Sequence, residues 1–182
     1  MRTLIITENV SLDGVIAPMD GWFDPTLVDE DLLAVGVEHR EAADALVVGR
    51  VTYEEFAGFW PAQRDDPTGT VRYLDRVAKY VVSSRELSAG WANTTRLRGP
   101  MADELAALKR QPGADIVVTG SATLVTALVP SGLVDRYRLF VYPVVQGRGR
   151  RLFPDGARAD LDLVATRGFA SGVVLLEYSV RA

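Results

Sequence analysis

Twice in this chain a short β-branched run ends on a glycine and passes straight into a segment patterned as a helix. The two runs are Ala45-Leu46-Val47-Val48-Gly49-Arg50-Val51-Thr52-Tyr53-Glu54-Glu55-Phe56 and Asp115-Ile116-Val117-Val118-Thr119-Gly120-Ser121-Ala122-Thr123-Leu124. Strands with no polar face belong in the middle of a parallel sheet covered on both sides, which restricts the chain to an α/β architecture. Glycine at such a strand end lets the backbone approach a ligand closely. The helix start behind it offers unpaired N–H groups and a positive dipole end to an anion. Two such turns predict a protein that cradles a phosphorylated ligand.

The rest of the chain extends this pattern. Leu4 to Ile6, Leu46 to Val48, Tyr80 to Ser83 and Ile116 to Val118 read as the parallel core, with helices at Asp29 to Ala43, Thr52 to Trp60, Met101 to Arg110 and Ala122 to Val129. Thr52 and Glu55 have the spacing of a capping box, while Tyr53, Phe56 and Trp60 recur on one packing face. Met101, Leu105 and Leu108 form a second stripe, and Leu124, Val125, Leu128 and Val129 a third, ended by Pro130-Ser131-Gly132. From Arg136 to Val141 apolar Tyr137, Leu139 and Val141 alternate with Arg136, Arg138 and Phe140, which predicts a half-buried strand. Leu161 to Phe169 and Val173 to Val180 flank Ala170-Ser171-Gly172 as a closing antiparallel hairpin. Long loops fall at Ala17 to Leu27 and Pro61 to Thr70. The prediction is one domain over residues 1–182, a mixed, mostly parallel sheet with helices on both faces.

Composition removes several chemistries. With no cysteine there is no thiol nucleophile, disulfide framework or cysteine metal site, and a lone histidine, His39, cannot build a multi-histidine zinc centre. No metal site is expected. A net charge of -4 and a pI near 5.1 speak against a general nucleic-acid binder. Met1-Arg2-Thr3-Leu4-Ile5-Ile6-Thr7-Glu8 is too short an apolar run for a signal segment, and no stretch approaches the roughly 18 apolar residues of a membrane span. A cytoplasmic location without membrane association is the expectation.

Five motifs in one order then resemble a known family. They are Ser11-Leu12-Asp13-Gly14-Val15-Ile16-Ala17, Val48-Gly49-Arg50-Val51-Thr52-Tyr53-Glu54, Val82-Ser83-Ser84-Arg85, Gly120-Ser121-Ala122-Thr123-Leu124, and Gly132-Leu133-Val134-Asp135 with Pro143-Val144-Val145-Gln146-Gly147 and Leu152-Phe153. The chain resembles the dihydrofolate reductase-like superfamily, and more narrowly the reductase domain related to the C-terminal half of the bifunctional riboflavin-biosynthesis deaminase-reductase. That resemblance implies a three-layer α/β/α fold and NADPH binding. On chemical grounds Arg50 and Arg85, with the hydroxyls of Ser83 and Ser84, suit an adenosine 2′-phosphate. Gly49 and Thr52 would face phosphate at one helix start, and Gly120, Ser121, Ala122, Thr123 and Leu124 would line pyrophosphate at the other. The residues alone equally admit tight turns, helix caps and solvated arginines.

The chain also departs from that family. Dihydrofolate reductases carry tandem glycines where this chain has Gly120-Ser121, and the cis peptide of that pair is carried over here only by resemblance. The basic residue that riboflavin-pathway reductases place ahead of the Ser-Leu-Asp-Gly motif is absent from Thr7-Glu8-Asn9-Val10. Asp13 and Gly14 shape a turn near the expected substrate region, with Asp13 read first as a turn former and second as a substrate contact. Trp22 and Phe23 are equally suited to stacking on a heterocycle and to plugging a core edge. The resemblance implies a pterin-holding carboxylate on the first helix, for which Asp29, Glu30, Asp31 and Glu38 are available without one being assigned. Asp29 to Asp31 read first as first-turn acids, and His39 reads first as a surface residue between Glu38 and Arg40 and second as a proton donor. Arg148, Arg150 and Arg151 could receive a phosphorylated substrate or merely flank a solvated turn. The expectation is an NADPH-dependent reductase that passes a hydride to a pterin-like or aminopyrimidine-like heterocycle, with no catalytic residue assigned. The alternative is an NADP(H)-binding sensor or interaction protein. A homodimer through the late strands is expected in either case.

Overall fold

The computed structural model describes residues 1–24, 29–63, 65–88 and 90–181. Its strands are β1 (Leu4–Ser11), β2 (Val15–Ala17), β3 (Ala43–Gly49), β4 (Ala78–Val82), β5 (Thr94–Leu97), β6 (Asp115–Val118), β7 (Arg136–Tyr142), β8 (Arg150–Arg151), β9 (Leu161–Gly168) and β10 (Val174–Val180). The helices are α1 (Glu30–Glu41), α2 (Arg50–Phe59), α3 (Thr70–Arg76), α4 (Met101–Arg110) and α5 (Ala122–Leu128), with 3-10 turns closing α2 and α5. The main sheet has the order β5-β4-β3-β6-β1-β7-β10-β9, and β2 and β8 form a small second pair. From β5 to β7 each neighbour runs parallel, whereas β10 is antiparallel to both β7 and β9. The expected parallel core and closing antiparallel pair are both present.

Alternation along the strands divides the core between two faces. Leu4, Ile6 and Val10 of β1, Ala45 and Val47 of β3, and Ile116 and Val118 of β6 meet Leu105 and Leu108 of α4 and Leu124, Val125 and Leu128 of α5. The other face carries Leu46 and Val48 of β3 against Tyr53 of α2 and Tyr73 and Leu74 of α3. Farther along that face, Val35 of α1 packs with Tyr142, Phe169 and Leu175. A three-layer α/β/α domain results. The Gly132-to-Asp135 motif is architectural: Asp135 Oδ2 accepts the Leu4 N–H at 2.7 Å and the Lys109 ammonium at 2.5 Å, fixing the start of β1.

Several local expectations need correction. Helix α2 begins at Arg50 with Gly49 as its N-cap and no side-chain cap, so Thr52 and Glu55 form no capping box. Strand β7 is covered on both faces: Tyr137 and Leu139 lie in the core with α4 and α5, and Arg138 on the other face is buried against Glu177 at 3.2 Å. Charge pairing there replaces the solvent that the alternating pattern suggested. Helix α3 and strand β5 were not foreseen; α3 sits at the end of the second long loop, where Asp66 accepts the Thr68 and Val71 N–H groups. Residues 25–27 of the first long loop and residue 64 of the second lie outside the described residues.

Candidate functional site

The two glycine turns lie side by side because β3 and β6 are neighbours in parallel register. The Gly49 N–H donates to the Gly120 carbonyl at 3.2 Å. A Cβ on Gly49 would collide with the Ser121 hydroxyl, and one on Gly120 would lie 2.6 Å from Thr52 Oγ1. The close approach that demands these glycines is therefore between the two turns themselves. Gly120 also has φ +58°, in the region that favours glycine, and the Gly120–Ser121 peptide is cis as the resemblance implied. Beneath this pair, Glu8 of β1 accepts the Gly120 N–H at 2.7 Å.

The remaining predicted cofactor residues divide into three situations. Arg50 reaches Glu54 at 2.5 Å, one helical turn on, and Glu54 in turn accepts the Ser88 hydroxyl at 2.8 Å and its N–H at 3.2 Å. Hydrogen bonds from Ser88, ahead of the pairing with Arg50, hold the Glu54 carboxyl below its ordinary range. Through Glu54 the Arg50 guanidinium and the segment after β4 are drawn to the same edge. The Ser83 hydroxyl is already spent locally, donating to the Arg85 carbonyl at 2.7 Å and accepting the Arg85 N–H at 3.0 Å, while Ser84 and Arg85 are exposed. Ser121, Ala122 and Thr123 surround the start of α5, but the Leu124 side chain is buried in the core, which leaves that residue only its backbone to offer.

Asp13 knots together the loops after β1 and β7. Its carboxylate accepts the Ser11 hydroxyl at 2.7 Å and the N–H groups of Gln146 at 3.0 Å and Gly147 at 2.8 Å, and its carbonyl accepts the Arg151 Nε at 3.1 Å. The Gln146 N–H, with the Ser11 hydroxyl next, pulls its pKa down to about 2. Gly14 has φ +86°, so its conformational role is met. Asp13 thus takes the turn-forming role. Arg148, Arg150 and Arg151 are exposed around this knot. Trp22 and Phe23 meet Tyr142 edge-on at 5.4 and 5.8 Å within the α1-side core, so both plug a core edge.

Asp29 and the histidine complete the picture. Asp29 caps α1 by accepting the Leu32 N–H at 3.2 Å and ties it to the β9–β10 connection through the Ser171 N–H at 2.8 Å, as the first-turn reading expected. His39 is not a plain surface residue: its ring faces Phe140 at 6.1 Å, and burial, then the nearby Arg138 and Arg40, push its pKa down to about 4. Helical periodicity turns His39 inward although its sequence neighbours are charged. Glu8 and Glu54 were missed as functional-site residues. The signal for Glu8 was an acid in register with Leu4, Ile6 and Val10 on an otherwise apolar face of its strand.

The described residues contain no group of three or more His, Asp or Glu side chains that could hold a metal, and none of their helices is long and apolar enough to cross a membrane. An open depression of about 680 Å³ lined by Gln63, Asp66, Arg72 and Asp75, and another of about 600 Å³ lined by Asp44, Trp91 and Asn93, contain no residue of the glycine turns. What the turns present instead is an open polar rim at the carboxyl ends of β3, β4 and β6, the place where open α/β sheets receive ligands.

Known proteins agree with this architecture. The protein YyaP of Bacillus subtilis (strain 168) is 32% identical over 179 residues, covering 97% of this chain and 94% of its own length. Among solved structures, a pyrimidine reductase-like protein from Corynebacterium diphtheriae superposes with a TM-score of 0.67 at 16% identity, covering 100% of this chain and 92% of that one. Dihydrofolate reductase from Enterococcus faecalis, in complex with NADP(H), superposes with a TM-score of 0.65 at 16% identity, covering 99% and 97%. The model of the RibD C-terminal domain matches residues 2–175, so the chain belongs to the RibD C-terminal domain family.

Proposed function

We propose that this chain is an NADPH-dependent reductase that delivers a hydride to a small heterocycle of pterin-like or aminopyrimidine-like type. The observation that carries the reading is the pair of interlocked glycine turns at the carboxyl ends of β3 and β6, with Arg50 held toward the segment after β4 by Glu54. Family membership and the NADP(H) bound to the Enterococcus relative of the same fold support it. With the Gly120 N–H held by Glu8, the backbone N–H groups of Ser121, Ala122 and Thr123 would receive the pyrophosphate, and Arg50 with Ser84 and Arg85 the 2′-phosphate. The donor set fits an anionic dinucleotide, and the cofactor supplies the hydride when bound. The task of the protein is then to orient the two rings and exclude water.

Thermal unfolding with and without NADPH tests this directly. At a hundredfold excess over Kd, NADPH should add about 2.7 kcal/mol, and no stabilisation would end the reading. Arg50→Ala should weaken NADPH at least about tenfold while leaving NADH nearly unchanged, since a charged phosphate contact is worth roughly 1.5–3 kcal/mol. Equal losses for both cofactors would remove Arg50 from the 2′-phosphate site.

A second reading, an NADP(H)-binding sensor, is favoured by one fact. Asp13, Trp22 and Phe23, the residues foreseen for substrate, are engaged in holding loops and core together. Binding of NADPH without its oxidation in the presence of dihydrofolate, aminopyrimidine phosphates or simple imines would select this reading. For either reading we propose a homodimer built on β9, whose Leu163 and Val164 are 58% and 48% exposed. Sedimentation that gives a monomer would refute it.

A further inference from the structure

Glu8 occupies a position that strand chemistry assigns to an apolar residue. Leu4, Ile6 and Val10 of β1 share its face and lie in the core under α4 and α5, and Glu8 itself is only 7% exposed. A carboxyl placed there loses water and must recover the cost through a specific contact. Among the described residues its hydrogen-bond partner is the Gly120 N–H at 2.7 Å, and the Gly120 carbonyl in turn accepts the Gly49 N–H at 3.2 Å. One side chain of β1 is thereby linked to both glycine turns.

The charged groups of α4 are engaged elsewhere or exposed: Glu104 accepts the Gly99 N–H, Lys109 pairs with Asp135 at the start of β1, and Asp103 and Arg110 face solvent. Helix α5 contains no ionisable side chain, and Asp115 stands at the far end of β6. Arg136 and Arg138 of β7 are turned to the opposite face, where both meet Glu177. Tyr137, on the same face of β7, has its hydroxyl pushed up to about 12 by burial. Burial therefore dominates at Glu8 and lifts its pKa to about 7 against the opposing pull of the Gly120 N–H. Protonated, the carboxyl still accepts that N–H through its carbonyl oxygen. Ionised, it places a negative charge directly behind the turn.

Resting on the cofactor reading above, we propose that Glu8 is the positioning residue of the Gly120–Ser121 turn, and that an anionic dinucleotide binds there with preference for the form in which Glu8 is protonated. Its hydrogen bond fixes the orientation of the turn, and its charge sets how well an anion is tolerated across it. Proton uptake by Glu8 accompanies ligand uptake, so affinity falls as pH rises through neutrality.

Three proteins decide the matter: wild type, Glu8→Gln, which keeps an acceptor and removes the charge, and Glu8→Leu, which removes both. NADPH dissociation constants are measured at about pH 6 and about pH 8.5, together with hydrogen exchange of the Gly120 amide in the ligand-free proteins. The wild-type constant divided by that of Glu8→Gln should rise at least about threefold between the two pH values. The ratio cancels ionisation of the ligand's own 2′-phosphate, which both proteins meet alike. Glu8→Leu should exchange the Gly120 amide faster and bind about tenfold more weakly at both pH values, with Glu8→Gln restoring exchange protection. A ratio independent of pH overturns the charge coupling, and unchanged Gly120 exchange in Glu8→Leu overturns the positioning role. If Glu8→Leu does not fold, the positioning role is read from Glu8→Gln, whose Gly120 amide should keep wild-type protection; faster exchange there overturns it. Wild type that fails to bind NADPH at either pH, while Gly120 exchange still depends on Glu8, refutes the cofactor reading and the coupling but leaves the structural hold of Glu8 on the turn.

Discussion

Glu8 and Asp13 lie five positions apart in the sequence, and each uses a carboxylate to hold a loop at the same rim of the sheet, yet their electrostatics are opposite. Asp13 is wrapped by the Ser11 hydroxyl and the Gln146 and Gly147 N–H groups, which favour its charged form and pull it down to about 2. Glu8, buried in the strand, accepts among the described residues only the Gly120 N–H, and burial pushes it up to about 7. The same functional group thus makes a permanent staple where donors outnumber burial and a titrating one where burial outweighs a single donor. The loop after β1 is indifferent to pH near neutrality. The Gly120 turn is not.

The strongest way to break this contrast is to remove the charge of Glu8 and follow stability with pH. A carboxyl whose folded pKa is raised contributes no penalty below its unfolded value near 4.5, and a growing one as pH rises toward about 7, where both states become ionised. A difference of this size corresponds to about 3 kcal/mol. Glu8→Gln should therefore gain up to about 3 kcal/mol on wild type between pH 4.5 and pH 8, read from urea midpoints at the two values. An identical pH dependence in both proteins would mean that Glu8 is not held in an apolar site.

His39 gives a smaller effect of opposite sign along the pH axis. Its folded pKa is lowered to about 4, first by burial and then by Arg138 and Arg40, so its neutral form is the native one. The associated stability is fully present above about 6.5 and is lost as pH falls toward 4. The ring remains partly open to solvent, and screening reduces the effect to roughly 1 kcal/mol. His39→Leu should flatten the acid limb between those values, and an unchanged limb would show that the ring titrates freely.

What the sequence disclosed follows from which interactions are local. The runs Leu4–Ile6 of β1, Leu46–Val48 of β3 and Ile116–Val118 of β6 announce themselves because burial on both faces demands apolar residues throughout, and α4 and α5 because a helix facing a sheet needs a stripe. The glycine turns were legible as turns. Their actual constraint, that Gly49 touches Ser121 and Gly120 touches Thr52, depends on β3 and β6 becoming neighbours across some seventy residues of chain and has no local signature. Helix α3 was hidden for a related reason: its start is organised by Asp66 through hydrogen bonds rather than by an apolar pattern. The inward turn of His39 and the burial of Arg138 likewise depend on α1 and β10 arriving from elsewhere. Glu8 was visible as an interruption of β1, but only the position of Gly120 gives it a purpose.

The smallest expected effect sharpens the comparison from the other side. Asp13→Asn keeps one acceptor oxygen but replaces the second by an amide that cannot accept, so the bonds from Gln146 and Gly147 cannot both survive. Because a lowered carboxylate pKa contributes stability above about 3.8 that is lost only as pH falls toward 2, global unfolding at neutral pH should keep the wild-type pH dependence in this variant. The change belongs to the loop: hydrogen exchange at Gln146 and Gly147 should accelerate severalfold, while exchange at Gly120 stays as in wild type. Acceleration that spreads to Gly120 would show that the two carboxylates hold one connected rim. Confinement to residues 146 and 147 would establish two loops held independently, one by a fixed charge and one by a titrating group.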